Sequence, residues 1–226
     1  MWTRKPFLWL KAISEGKFLF FLVFLLIFIG FSPLLGRLLP FRMVYDISFT
    51  AVLLAGVYAA SARPRQSIFA AVIALPMLVI LWSQDESLRP VGAAFGILFI
   101  GYTILLMVKA VLMAKRVSIH VLCATVSAYL LMGIMWAFVY LFLESFQPNS
   151  FTVDMTRGYT HLYFSFVTLT TLGYGDIAPI SADARALAIL EAIIGQLYLA
   201  VIVARLVGIY LSQGRVQGKV DPNELF

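Results

Sequence analysis

The chain has 226 residues, of which 62% are hydrophobic and only 12% charged, and its mean hydropathy is +0.95. A soluble globular domain is about 45–50% apolar and about 25% charged, so a soluble fold, a disordered chain and a collagen-like fibre are excluded on composition alone. The net charge of +6 would suggest a nucleic-acid partner in a soluble protein, but here the basic residues lie between apolar stretches and read as membrane-topology signals.

Apolar stretches run over 18–36, 43–61, 67–83, 90–113, 118–143 and 184–212. A membrane span needs ~20 apolar residues, so the chain has room for six spans and short connections. The third stretch holds Pro76, and its ends are the least sharply marked. Away from their margins these stretches carry only Asp46, Lys109, Glu191 and Arg205 as charged residues. Backbone in lipid must satisfy its own hydrogen bonds, so each stretch is expected to be a helix. Arg4 and Lys5 precede the first stretch as they would in a signal peptide, but no small-residue cleavage site follows, and a retained span is expected. Residues 6–14, with Trp9 beside Lys11, read either as an interfacial segment or as a frayed tail.

Orientation follows from the connecting segments. The odd-numbered ones carry ten basic residues (Arg4, Lys5, Lys11, Lys17, Arg63, Arg65, Lys115, Arg116, Arg215, Lys219). The even-numbered ones carry five (Arg37, Arg42, Arg89, Arg157, Arg185) together with Asp85, Glu86, Glu144, Asp154, Asp176 and Asp183. This bias predicts a multi-pass protein of the plasma membrane, or of the inner membrane in a bacterium, with both termini cytoplasmic.

Residues 144–183 differ in kind. Gln147-Pro148-Asn149-Ser150 reads as a polar turn, and the apolar run from Tyr159 to Leu172 has a length that suits a re-entrant helix better than a span. Thr170-Thr171-Leu172-Gly173-Tyr174-Gly175-Asp176 and Pro179 follow. A pore that dehydrates a cation must replace its water oxygens, and backbone carbonyls serve if successive ones face one axis. That demands unusual backbone angles at alternating positions, which glycine accepts without a Cβ penalty. Gly173 and Gly175 have this spacing. The short helix is expected to end near Thr170, its negative end aimed at a cavity below. Asp176 stands where an outer mouth would concentrate cations.

In these residues the chain resembles the potassium channel family, whose filter reads T-V-G-Y-G, with Leu172 in place of the valine. The resemblance covers roughly residues 118–212. It implies an all-α membrane protein of six transmembrane helices with a re-entrant pore helix and selectivity filter between helices five and six. The domains then read as a four-helix transmembrane domain (1–117), a pore domain (118–212) and a short cytoplasmic tail (213–226). It implies potassium-selective passive conduction, with potassium ions held at Thr171, Leu172, Gly173 and Tyr174, Gly175 completing the filter, and Tyr174 packed behind it as a spacer. One filter string per chain implies a homotetramer. Expected partners are three copies of the chain, membrane lipids and potassium ions; no nucleic acid and no cofactor beyond the permeant ion are expected. The γ-branched Leu172 is expected to change filter rigidity more than its oxygen count, with weaker cation selectivity as the alternative.

In the last stretch Gly195 is a gating-hinge candidate, or a small residue permitting close helix packing. Gln196, Leu199 and Val203 follow at helical spacing as cavity-lining candidates. Glu191, ionisable inside a span, is expected to face protein, behind the filter or near Arg185. Arg205 is expected to snorkel toward the cytoplasmic interface.

A voltage sensor needs about 3–4 gating charges on one helix. The fourth stretch holds Lys109 alone, with Lys115 and Arg116 beyond its end, so voltage gating is not expected. The connection over 108–118 is expected to run along the inner surface. Rival readings are weaker. An intramembrane aspartyl protease would use Asp46 and Asp176, but Asp176 falls in a loop before Pro179 and no Pro-Ala-Leu motif is present. A transporter would show two related halves with broken helices, and no internal repeat is visible. A non-conducting regulatory subunit with the same string is a third reading. One cysteine, Cys123, and two histidines, His120 and His161, argue against a metal or catalytic cluster; no enzyme is expected.

Overall fold

The described helices gather around one long helix, Ile119–Phe146, on which those of Lys17–Leu26 and Arg89–Met113 pack directly. The structure is a computed structural model that describes residues 16–31, 40–59, 64–83, 85–156 and 158–217. The proposed interfacial segment, Arg4, Lys5, Arg37, Arg63, Arg157 and Lys219 lie outside the described residues, and with them part of the topology count.

Seven α-helices are present among the described residues: α1 (Lys17–Leu26), α2 (Phe41–Ala59), α3 (Pro64–Ser83), α4 (Arg89–Met113), α5 (Ile119–Phe146), α6 (Thr160–Leu169) and α7 (Ala182–Gln217). α1 runs on as a π-helical turn, Ile27–Phe31. The described β structure is a single antiparallel bridge between Phe151 and Pro179. Five helices (α2, α3, α4, α5 and α7) are long and apolar enough to cross a membrane; the described part of the first stretch, Lys17–Gly30, is shorter.

Local chemistry sets the helix ends. Pro64 opens α3, where its missing N–H costs nothing. Pro76 sits within the same helix and removes one of its internal bonds. Asp85 accepts the Ser87 N–H at 2.9 Å and starts the 3₁₀ turn Glu86–Leu88 that leads into α4. Ser118 caps α5 by accepting the Val121 N–H. The connection between α4 and α5 is only 114–118, so residues 108–113, expected in a surface linker, belong to α4. The apolar run continued the helical period past Lys109, and the chain kept to it.

α5 is the hub. Sixty-one per cent of its apolar window is buried, against 17% for α3 and for α7. Phe28 of the π turn packs on Phe49 of α2, and Phe49 packs on Phe138 of α5, with ring centroids 5.3 and 5.4 Å apart. A second core lies beside α6. Tyr140, Phe151 and Phe164 form a triangle of edge-on rings with centroids 5.0–5.4 Å apart. This triangle joins α5, the turn that follows it, and α6.

Candidate functional site

The expected turn at 147–150 forms, and a carboxylate holds it. Glu144, in the last turn of α5, accepts the N–H groups of Asn149 (2.9 Å) and Ser150 (3.2 Å). Asn149 takes a φ of 65°, which Asn tolerates better than most residues. Ser150 O accepts the Ile180 N–H at 2.7 Å, and Ala178 O accepts the Thr152 N–H at 3.0 Å. The segment before α6 is thereby tied to the segment after the filter string.

α6 covers ten residues, Thr160–Leu169, and ends at Thr170 as expected. Both helices that flank it meet it at a glycine. A Cβ on Gly133 of α5 would stand 2.6 Å from a Phe166 ring carbon, and one on Gly195 of α7 would stand 2.7 Å from Leu169 Cδ1 and 3.0 Å from Leu169 O. Gly195 therefore permits a close approach to the end of α6, and α7 runs through it as one continuous helix. Tyr129 and Tyr198 stack at 6.0 Å beneath this point, and Tyr198 donates to Thr125 O at 2.8 Å.

The string from Thr171 to Asp176 leaves α6 as irregular backbone. The φ angles of Thr171, Gly173 and Gly175 are 59°, 54° and 79°, while Leu172 and Tyr174 are not in the positive region. The sign of φ alternates through five residues, as the spacing of the two glycines led us to expect. Thr171 is the position that glycine counting missed: a β-branched residue in the left-handed region is costly. The N–H groups of Leu172 and Gly173 both reach Val167 O, at 2.9 and 3.2 Å, and that of Thr171 reaches Thr168 O at 2.9 Å. Among the described residues, the carbonyls of Thr171 to Gly175 accept no hydrogen bond from the chain. Leu172 and Tyr174 are exposed in the single chain. At the far end Tyr163 of α6 donates to Asp176 Oδ2 at 2.7 Å, and this bond holds the phenol above its ordinary range.

Gln196, Leu199 and Val203 are exposed along one stripe of α7, beside the stripe of Glu191, Gly195 and Ile202, which are buried against the rest of the chain. Glu191 is buried and faces protein, as expected, against α5 and α6. Tyr140 donates to its Oε2, and Ser165 Oγ stands 2.5 Å from its Oε1. Arg185 instead donates to Pro179 O. Arg205 donates to the Leu112 carbonyl in the last turn of α4, where a cation also meets the negative end of the helix. Asp46 and Asp176 have separate surroundings. Asp46 is buried on α2, 4.0 Å from Arg42, and lines a cavity of about 340 Å³ with Tyr45, Arg89 and His161; Asp176 sits in the exposed loop with Tyr163.

Residues 126–212, from within α5 to within α7, match a family described as "Ion channel". Over 100 residues the chain is 37% identical to Protein LctB of Bacillus caldotenax, an alignment covering 41% of this chain and 74% of that protein. The chain belongs to the ion-channel family. No solved structure matches it. The part of this ion channel that matches holds α6, the Thr171–Asp176 string and the buried Glu191, and the channel family is a class of non-enzymes. With its several long apolar helices, the protein is a multi-pass membrane channel.

Proposed function

We propose that four copies of the chain assemble into a potassium-selective channel, with one Thr171–Gly175 string from each copy around a common axis. The observation that carries this reading is the alternation of φ sign at Thr171, Gly173 and Gly175, together with the unbonded carbonyls of the same residues. Alternation cancels the helical turn, so that successive carbonyls fall on one side of the ribbon. Polar backbone at membrane depth is tolerated only inside protein or along a water-filled path. Dehydrated potassium ions supply the missing partners at Thr171, Leu172, Gly173 and Tyr174. The six-span layout, the re-entrant role of α6 and the cytoplasmic termini belong to the same reading, as do the absence of a cofactor, a plasma-membrane or bacterial inner-membrane location, and conduction that is not voltage-gated.

Several features fit this assembly. α7 is the least buried helix together with α3, and its exposed face carries Gln196, Leu199 and Val203 toward the place where a cavity would lie. α6 ends at the filter, so its negative end faces the same place. Asp176 at the outer end adds four carboxylates per tetramer to attract cations.

The test is ion flux in liposomes holding the purified protein. With a potassium gradient, uptake should be fast and passive; with potassium replaced by sodium, it should collapse. Equal uptake in both salts overturns the selectivity. A chain that runs as a monomer or dimer when cross-linked in the membrane overturns the assembly.

A further inference from the structure

Glu191 is fully buried, in the first third of the inner helix α7. Its carboxyl group meets three elements at once. Oε2 accepts the Tyr140 hydroxyl of α5. Oε1 lies 2.5 Å from Ser165 Oγ of α6, and the same Ser165 Oγ lies 2.7 Å from the Gly133 carbonyl oxygen of α5. Among the described residues no Lys or Arg forms an ion pair with it.

A proton count decides the state of this group. A serine hydroxyl has one hydrogen to donate and two lone pairs to accept with. Gly133 O can only accept, so if Ser165 donates to it, the contact between Ser165 and Glu191 needs a hydrogen from the glutamate side. If Ser165 donates to Glu191 instead, two bare oxygens are pressed together at 2.7 Å against Gly133. One assignment gives every contact its hydrogen: Glu191 Oε1–H donates to Ser165, Ser165 donates to Gly133 O, and Tyr140 donates to Glu191 Oε2. A neutral acid also avoids placing an unpaired charge in a buried site.

We propose that Glu191 is kept as a neutral carboxylic acid and that its bridge positions the pore helix, making it a determinant of potassium over sodium discrimination. The second half rests on the potassium-pore reading above. The physical link is short. Ser165 is two residues before Val167, whose carbonyl holds the N–H groups of Leu172 and Gly173. A pore helix released at Ser165 can shift against α5 and α7 and carry the filter backbone with it. Glu191 touches no ion; it is a positioning residue.

Glutamine keeps the shape, the acceptor for Tyr140 and a donor for Ser165, without a titrating proton; leucine keeps the volume and loses both bonds. Purified full-length protein in lipid is compared as wild type, Glu191→Gln and Glu191→Leu. Two measurements are made at neutral pH: the infrared difference spectrum against Glu191→Gln, and the ratio of potassium to sodium flux. We expect the difference spectrum to contain the carbonyl stretch of a protonated acid. We expect Glu191→Gln to keep the flux ratio within about twofold, and Glu191→Leu to lower it by about tenfold, the scale of a buried polar group stripped of its partner. Carboxylate bands in the difference spectrum, or a loss of selectivity in Glu191→Gln as large as in Glu191→Leu, overturn the proposal. If Glu191→Leu does not assemble, the Gln variant and the spectrum decide alone. If wild-type protein conducts both ions equally, the potassium reading fails, and the infrared result still decides the neutral acid.

Discussion

Tyr163 donates a hydrogen bond of 2.7 Å to Oδ2 of Asp176, across the whole length of the filter string. At the other end the string is held by Leu172 and Gly173 on the Val167 carbonyl. Both anchors lie on α6, so one short helix sets both the entry and the exit of the string. The alternating φ angles between them are costly for Thr171 and need such clamps.

Removing the outer anchor should loosen the string without unfolding the protein. Tyr163→Phe keeps the ring and deletes the donor. Potassium flux should decay several-fold faster during sustained conduction, and the potassium to sodium ratio should fall, while membrane insertion stays unchanged. Asp176→Asn keeps an acceptor for Tyr163 and should retain conduction at a reduced level. Unchanged flux and selectivity in Tyr163→Phe would mean that the bond carries no load.

Gly173→Ala should abolish potassium flux for a conformational reason. A Cβ at this position meets nothing within 4 Å in the single chain, so crowding by its own chain is not the cause. The cause is the φ of 54°: an L-residue forced into the left-handed region loses about 1–2 kcal/mol, repeated in every copy around the axis. Helix content by circular dichroism and membrane insertion should match wild type. Normal flux in this variant would mean that residue 173 does not need the left-handed backbone.

Much of this was legible in the sequence because it is local. The helices follow apolar runs that a lipid solvent would force into helix, and the length of the run at Tyr159–Leu172 already marked α6 as too short to span. The glycine spacing at Gly173 and Gly175 announced alternating backbone, and α6 ended at Thr170 as expected. Contacts between distant helices were not legible. Tyr140 and Glu191 are 51 residues apart, and nothing in either helix fixes the rotation that brings them together. Arg205 and Leu112 are a similar case: the charge alone did not reveal that its partner would be a helix-end carbonyl 93 residues away. Gly133 showed no motif, and only the ring of Phe166 against its Cα explains it.

Two glycines of the same helix should respond oppositely to alanine. At Gly195 the new methyl would press on Leu169, including its backbone oxygen at 3.0 Å, which cannot swing aside. Overpacking of this kind costs about 1–3 kcal/mol, and Gly195→Ala should lower the thermal midpoint of the detergent-solubilised protein and reduce potassium flux. At Gly208 a Cβ meets nothing within 4 Å. There the helix gains the propensity difference of about 1 kcal/mol, so Gly208→Ala should be neutral or stabilising with flux intact. If Gly195→Ala is instead as stable as wild type but gates differently, Gly195 acts as a bending point rather than as a contact.

The conductance should depend weakly on membrane voltage. Moving one charge through the full field is worth about 2.3 kcal/mol per 100 mV, and sensors carry about 3–4 such charges on one helix of each subunit. α4, the helix in the corresponding place, runs from Arg89 to Met113 and has Lys109 as the charged residue within it, close to its C-terminal end and exposed. From there it can cross only a small part of the field. The lower end of α4 is also held from outside, because Arg205 of α7 donates to Leu112 O. That contact ties α4 to α7, so a movement of α4 should be passed to α7. Currents from purified protein should therefore vary smoothly over about 200 mV, and Lys109→Gln should leave the curve in place. Arg205→Gln, by contrast, should change open probability at every voltage by a similar factor. A steep sigmoidal curve that flattens in Lys109→Gln would show that this single charge travels far enough to act as a sensor.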